Sequence, residues 1–421
     1  MHLDRGVKQQ GEHSISLTFI ALSPFALGYF LSYLLRAVNA VIEQDLVDDI
    51  GLGASELGLV TAIYLATFAL FQLPLGVLLD RFGPRRVQTA LMSIGGAGAI
   101  LFALANDIVL LIVGRALIGL GFAGGLMAGF KAIVIWVRAP RRALGNAIIM
   151  SAGAVGLLFA TAPVEFATQL IGWRQVFWVL ATMTFAAALI IFLAVPERPG
   201  HADIQPLAQQ IKELGHIFQD RAFLAIVPLL ATCAGFHLAV QTLWAGPWFR
   251  DVAGLGREDV AAYLALIAIA FLIGILATGA IADRLARSGI GVLTVMLGFL
   301  APYMMAQVGI ILGTSNALMP LFWFLFGMLG QATILAYPWL ASHFGAVKSG
   351  RAQTAANLII FATAFVMQFA IGAIIDLFPR SPGGGYSVAS YQLSFAIALG
   401  TQLLALAWYA LNFKHLTGNT I

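Results

Sequence analysis

Twelve runs of mostly apolar residues, each long enough to cross a hydrocarbon core of about 20 helical residues, account for most of this chain. They fall near 17–44, 55–79, 88–105, 108–136, 144–170, 174–195, 222–247, 259–282, 290–313, 317–341, 352–376 and 389–412. Backbone polar groups in lipid have to be satisfied within the spanning segment, so runs of this length predict α-helices. The composition excludes a soluble globular fold: 60% of the residues are hydrophobic, 10% are charged, and the mean hydropathy is +0.92. A soluble chain carries roughly 25% charged residues to cover its surface. The expected class is an all-α integral membrane protein whose main partner is the lipid bilayer. The first run is too long for a signal-peptide core and lacks a small-residue cleavage site before Glu43, so it is expected to be a retained helix.

A single cysteine, Cys233, excludes an intrachain disulfide, and no Cys/His spacing suggests zinc or iron–sulfur, so neither metal nor cofactor is expected. The net charge of +4 does not indicate nucleic acid, because the basic residues are scattered between apolar runs. It reads instead as topology. With the termini in the cytoplasm, sixteen basic residues lie in inner segments and four (Arg174, Arg250, Arg257 and Arg380) in outer loops. Arg36, Arg115 and Lys131 lie inside spans and complete the 23. The positive-inside rule therefore predicts both termini cytoplasmic, in a cell's inner (cytoplasmic) membrane, with a monomer expected.

The longest inner segment divides the chain into a first bundle (1–196), a linking loop (197–221) and a second bundle (222–421). Within the loop, Leu207, Ile211, Leu214 and Phe218 follow Pro206 at helical spacing. They fit either a short helix on the inner membrane surface or a solvated linker touching the bundle. A gapless shift of 203 residues superposes Asp48, Gly51, Leu52, Gly53, Ala62, Phe68, Gly76, Asp80 and Arg81 on Asp251, Gly254, Leu255, Gly256, Ala265, Phe271, Gly279, Asp283 and Arg284. This predicts a duplicated six-helix unit. Two bundles about an axis along the membrane normal, with a site between them near the midplane, is a known transporter architecture.

After the second span the chain reads Gly76-Val-Leu-Leu-Asp80-Arg81-Phe-Gly83-Pro-Arg85-Arg86. This resembles the signature of the major facilitator superfamily at every position, and Gly279-Ala-Ile-Ala-Asp283-Arg284-Leu-Ala-Arg287 is similar to its degraded second copy. Arg115 with Gly119 and Gly121, Gly172-Trp173-Arg174, and Pro196-Glu197 resemble further landmarks of the family. The resemblance covers essentially the whole chain. It implies two pseudo-symmetric six-helix bundles working by alternating access, an inner-face latch at Gly76, Asp80, Arg81, Gly83, Arg85 and Arg86 with Asp283 and Arg284, and a helix–helix anchor at Arg115. Gly119-Leu-Gly121-Phe-Ala-Gly124 spells a dinucleotide-binding pattern, but no strand precedes it, so it reads as close helix packing.

Ionisable groups inside spans are costly and mark functional sites by default. Tyr29, Ser32, Arg36, Asn39 and Glu43 share one helical face of span one, which predicts a polar stripe lining a central cavity. Arg36 cannot shed its proton, so a dry cavity holding it favours an anion, gripped in bidentate fashion if that is a carboxylate or phosphate. The alternative is a structural pair with Glu43 or another helix. Tyr33-Leu-Leu-Arg36-Ala-Val-Asn39 is also similar to the first helix of the organophosphate antiporters and anion:cation symporters, with the asparagine one residue late. Span seven lacks the second arginine of the organophosphate group, which argues against a standard phosphate-ester exchanger.

Span seven instead aligns His237, Gln241, Trp244 and Trp248. His237 would hydrogen-bond the solute or carry a coupling proton, or else be satisfied by a neighbouring helix. Tyr64, Phe68 and Gln72 share a face of span two, as do Asn357, Phe361 and Gln368 of span eleven. Lys131 either joins the site or snorkels to the inner surface. Asn146-Ala-Ile-Ile and Asn357-Leu-Ile-Ile open the corresponding spans five and eleven as candidate inner gates. Gly153-Ala-Val-Gly156 does not reproduce the drug/proton antiporter signature. Deep carboxylates are limited to Glu165 and Asp376, so a coupled H+ would ride on Glu165, His237 or the solute itself. The reading is a secondary transporter, symporter or antiporter, of a small anionic solute. Its rivals are an exporter of apolar or cationic compounds and a non-transporting sensor or assembly protein. No nucleophile, base and orienting group recur at workable spacing, so an enzyme is not expected.

Overall fold

A computed structural model of the chain describes residues 22–138, 141–196, 214–313, 317–381 and 384–412. Helix is the only extended regular structure among them. Nine helices are long and apolar enough to cross a membrane, and two further pairs cross as bent spans: Leu22–Ala37 with Asn39–Ile50, turned by 45°, and Leu144–Phe159 with Ala162–Ile171, turned by 46°. One of the nine, Ala54–Ala103, is 50 residues long, about 75 Å if straight, which is more than twice a hydrocarbon core. It reverses at Gly83, whose φ of 77° lies in the region open to glycine. A Cβ placed on Gly124 would touch both Leu75 and Leu91, so the segments before and after Gly83 lie side by side. Counted as two, they complete the twelve expected crossings.

These crossings are α1 (Leu22–Ala37 with Asn39–Ile50), α2 (54–82), α3 (84–103), α4 (Ile108–Trp136), α5 (Leu144–Phe159 with Ala162–Ile171) and α6 (Trp173–Ala194) in the first half. The second half holds α7 (Arg221–Asp251), α8 (Arg257–Arg287), α9 (Val292–Ile311), α10 (Met319–Gly345), α11 (Lys348–Ile375) and α12 (Val388–Leu411). The 203-residue repeat is visible in the backbone. Gly51 and Gly254 both adopt positive φ, at 79° and 68°, and Gly53 and Gly256 are extended N-caps of α2 and α8. In the linking loop, Leu207 and Ile211 lie outside the described residues, while Leu214 and Ile217 are buried and Phe218 meets the Phe223 ring at 5.7 Å.

Outward faces carry bare Leu193, Leu276 and Leu404, as lipid contact requires, and the helices approach through small residues. Gly119 abuts Tyr64 and Thr67 of α2, and Gly121 abuts Gly95 and Leu91 of α3. The dinucleotide-like glycines are thus the packing face of α4. Gly98 and Gly114 repeat the contact further along the helix pair: a Cβ on Gly98 would sit 2.7 Å from the Gly114 carbonyl oxygen. A Cβ on Gly76 would meet nothing within 4 Å. Overpacking a tight contact costs about 1–3 kcal/mol. Gly98→Val is therefore expected to lower the melting temperature in detergent, whereas Gly76→Ala should leave it unchanged or slightly raised.

Candidate functional site

Two local irregularities decide which polar side chains reach the interface between the halves. The first is the 45° bend of α1 at Val38, which divides the predicted polar stripe. Tyr29 and Arg36, before the bend, line the central cavity. Asn39, just past it, donates from Nδ2 to Thr61 Oγ1 at 2.8 Å on α2, and Glu43 accepts from Arg250 of α7. The second is a π-helical turn at Val240–Trp244 in α7. Its wider turn shifts the helical phase, so the residues predicted to share one face do not. Gln241 lines the cavity, Trp244 donates from Nε1 to the Gln368 carbonyl at 3.0 Å, and His237 packs among Phe271, Tyr303 and Phe326.

The cavity is about 340 Å³ and draws its walls from both halves. Tyr29, Tyr33, Arg36 and Phe68 come from the first half, and Gln241, Phe271, Tyr337, Asn357 and Phe361 from the second. Phe68 and its repeat mate Phe271 both face it. Arg36 is 6% exposed and sits among four rings: Tyr33 at 4.6 Å, Phe68 at 5.0 Å, Phe361 at 5.5 Å and Tyr64 at 5.7 Å. Phe361 comes from the opposite half and also meets Phe68 at 4.6 Å. The Nε of Arg36 has no hydrogen-bond partner among the described residues, and no Asp or Glu lines the cavity. Of the predicted alternatives, a pair between Arg36 and Glu43 is not formed, whereas a partner on another helix is present in the Tyr64 hydroxyl of α2.

The other intramembrane cations are occupied elsewhere. Arg115 is buried on α4, donates to the Leu35 carbonyl at 2.6 Å and lies over Phe102 and Phe177, tying α1, α3 and α6 together. Lys131 is not among the cavity-lining residues and pairs with Asp80 of the signature loop. Asp80 thus binds within its own half. Arg81 lies over Phe82, Arg85 over Phe192, and Asp283 and Arg284 are exposed.

At the opposite end of the spans, ionic contacts join the halves. Arg250 binds Glu43, and Arg257 of α8 binds Asp45 with both Nη atoms, at 3.1 and 2.7 Å, and Glu165 of α5 through Nε at 2.9 Å. Asp376 at the end of α11 accepts from the backbone nitrogens of Ala54 and Ser55, at 3.1 and 2.7 Å. Sequence reasoning placed Arg250 and Arg257 among the loop charges and passed over Asp45. Only pairing across halves reveals them, and single-span periodicity carries no such signal. Tyr337, which donates to Asn357, was also missed, because it begins a helix after a 3₁₀ turn at Ala332–Leu335 that interrupts the apolar run.

A model of the Major Facilitator Superfamily matches residues 25–368. The probable sulfoacetate transporter SauU of Cupriavidus necator is 25% identical over 286 residues, 64% of this chain and 66% of that protein. The uncharacterized transporter YybO of Bacillus subtilis is 35% identical over 147 residues, 35% of this chain and 34% of that protein. The matched stretches thus span less than two thirds of these relatives. Among solved structures, a bacterial homologue of the human lysosomal transporter Spinster, inward-facing and unoccupied, aligns with a TM-score of 0.75 at 17% identity, covering 96% of this chain and 98% of that one. The nucleoside transporter NupG aligns with a TM-score of 0.75 at 12% identity, covering 94% of this chain and all of that one. The fold these matches share is the one built above from spans and repeats, and the chain belongs to the Major Facilitator Superfamily of membrane transporters.

Proposed function

We propose that this transporter is a secondary carrier that moves a small organic anion by alternating access, with Arg36 as its electrostatic anchor. The observation that carries the reading is Arg36 itself, a buried guanidinium facing a 340 Å³ cavity with aromatic faces but no carboxylate around it. Ring faces offset part of the cost of burying a cation, and an anion would offset the rest with directional hydrogen bonds. The relative named as a probable sulfoacetate transporter would carry a solute of this class. Phe68 and Phe361 would close on its organic part, and Gln241 and Asn357 would add neutral hydrogen bonds. Asn39, Tyr64 and Trp244 would support these positions from behind, and Lys131 would act on the Asp80 loop.

The positive-inside reading puts the Asp80 end in the cytoplasm, so the Glu43–Arg250 seam closes the outside and the cavity faces inward. In that state Asp80 is bound to Lys131, which is how a latch engaged only in the outward-facing state would rest when released. His237 is sealed among rings away from the cavity, which leaves Glu165, in the seam with Arg257, as the protein's own candidate for a coupled proton.

A ligand that binds only the folded state raises apparent stability by RT ln(1 + [L]/Kd), about 2.7 kcal/mol at 100 Kd. Screening the detergent-purified protein against small sulfonates, carboxylates, phosphates, nitrate and cationic drugs is expected to raise the melting temperature with one anion class alone. A shift confined to apolar or cationic compounds would replace this reading with the exporter. Truncating one member of a buried charge pair costs about 2–5 kcal/mol. Arg36→Gln should therefore weaken binding of the active anion by about 30-fold or more, and Arg36→Lys should restore only part of it, because the bidentate fork is lost. Titration of the thermal shift with both variants checks this.

A further inference from the structure

Three voids lie in file along one side of the interface between the halves. At the Glu43–Arg250 end, a chamber of about 270 Å³ has Glu43, Glu165, Arg250 and Arg257 on its walls. It shares Ala40, Val41 and Leu264 with a constriction of about 10 Å³. That is about what a single water requires. The constriction shares Ala37, Leu157 and Gln241 with the central cavity. The file therefore runs between α1, α5 and α8 from the ion-paired end to Arg36.

The opposite side, between α2 and α11, is closed by backbone. A Cβ on Gly58 would sit 2.9 Å from the Gln368 carbonyl oxygen, and one on Gly372 would overlap the Ala54 backbone. The two sides are internal duplicates. The 203-residue shift carries Ala54 onto Arg257, and the 211-residue shift that superposes Asn146 on Asn357 carries Glu165 onto Asp376. In each copy, a carboxylate near the end of one helix holds the start of a helix from the other half. Asp376 does so through backbone amides of α2, together with Ser55 Oγ at 2.5 Å. Glu165 does so through the Arg257 side chain. Backbone amides at a packed glycine contact move only with their helix. A guanidinium beside an open chamber can swing away by rotamer change.

We infer that the external passage of the solute runs along the α1–α5–α8 side, with the Glu165–Arg257 contact as its outer closure and the α2–α11 contact as the fulcrum. The inference rests on the alternating-access reading above. When the halves part on this side, Arg257 leaves Glu165 and Asp45 behind on the first half, so the passage opens between an acidic wall on the first half and a basic wall on the second.

The test compares two pseudo-equivalent buried positions, Leu264→Cys on α8 and Thr61→Cys on α2, each with Cys233→Ala and with or without Glu165→Gln. The protein is reconstituted, and labelling from the outer face is timed with an anionic and a cationic methanethiosulfonate. Glu165→Gln is expected to speed labelling at 264 by about tenfold, the response to roughly 1.4 kcal/mol in the closure equilibrium, and to leave position 61 unchanged. Equal acceleration at both positions, faster labelling at 61, or no labelling at 264 would each overturn the inference. Should Leu264→Cys fail to fold, Ala261→Cys, on the chamber wall, replaces it with the same expectation. Failure of the anion reading is distinguishable: the melting-temperature screen would then show no shift specific to an anion class, while the preference for 264 over 61 would persist with both reagents.

Discussion

The arrangement of this protein depends on how it disposes of positive charge inside lipid. A guanidinium has to be compensated there or be used. Arg257 is clasped by Asp45 and Glu165, Arg250 by Glu43 and Asp251, and Lys131 by Asp80. Arg115 has a carbonyl and two rings and is walled off from the cavity. Arg36 has aromatic side chains around it, no carboxylate, and open volume beside it. Aromatic faces hold a cation without neutralising it, so they keep Arg36 buried while its charge stays available. A carboxylate in the same place would neutralise that charge; among the described residues none lines the cavity.

The compensated charges hold the halves together. At the sealed end the first half contributes Glu43, Asp45 and Glu165 and the second half Arg250 and Arg257. Each pair crosses the interface and so strengthens closure at that end, while each half keeps its own packing through glycine seams such as Gly98 with Gly114. Removing one partner from a pair of this kind leaves an uncompensated charge, costlier than the pair itself is worth. A substitution at the seam therefore acts on the contact between the halves more than on the fold of either bundle.

Much of the fold was legible because lipid makes period and length decisive. Spans, repeat and the Gly83 reversal each follow from a residue pattern with a single structural solution. The cavity lining was legible in part from helical periodicity. Arg36, Phe68 and Asn357 were placed by simple periodicity and do line the cavity, and Gln241 lines it from within the π-helical turn. His237, in the regular helix before the π-helical turn, and Trp244, at the end of that turn, were placed by the same rule but face neighbouring helices: one shared periodicity does not carry across Val240–Trp244, where the count of residues per turn changes. Asn39 and Glu43 were displaced likewise by the bend at Val38. Such irregularities arise from tertiary packing, and the local sequence does not announce them.

Duplication supplies the last step. A chain built from two copies of one unit starts with two equal seams, and alternating access needs only that the halves rock about some line between them. Here the copies have diverged in the chemistry of closure. One seam kept glycines at Gly58 and Gly372 and backbone amides as donors, while the other took a long side chain, Arg257, and left a chamber beside it. Close backbone contact resists separation because dispersion falls steeply over the first ångström of a gap. A side-chain pair bordered by free volume gives way more gradually. On the inference above, the same fold contains a stiff side and a compliant side, and the compliant side leads to Arg36, whose surroundings among the described residues hold no carboxylate.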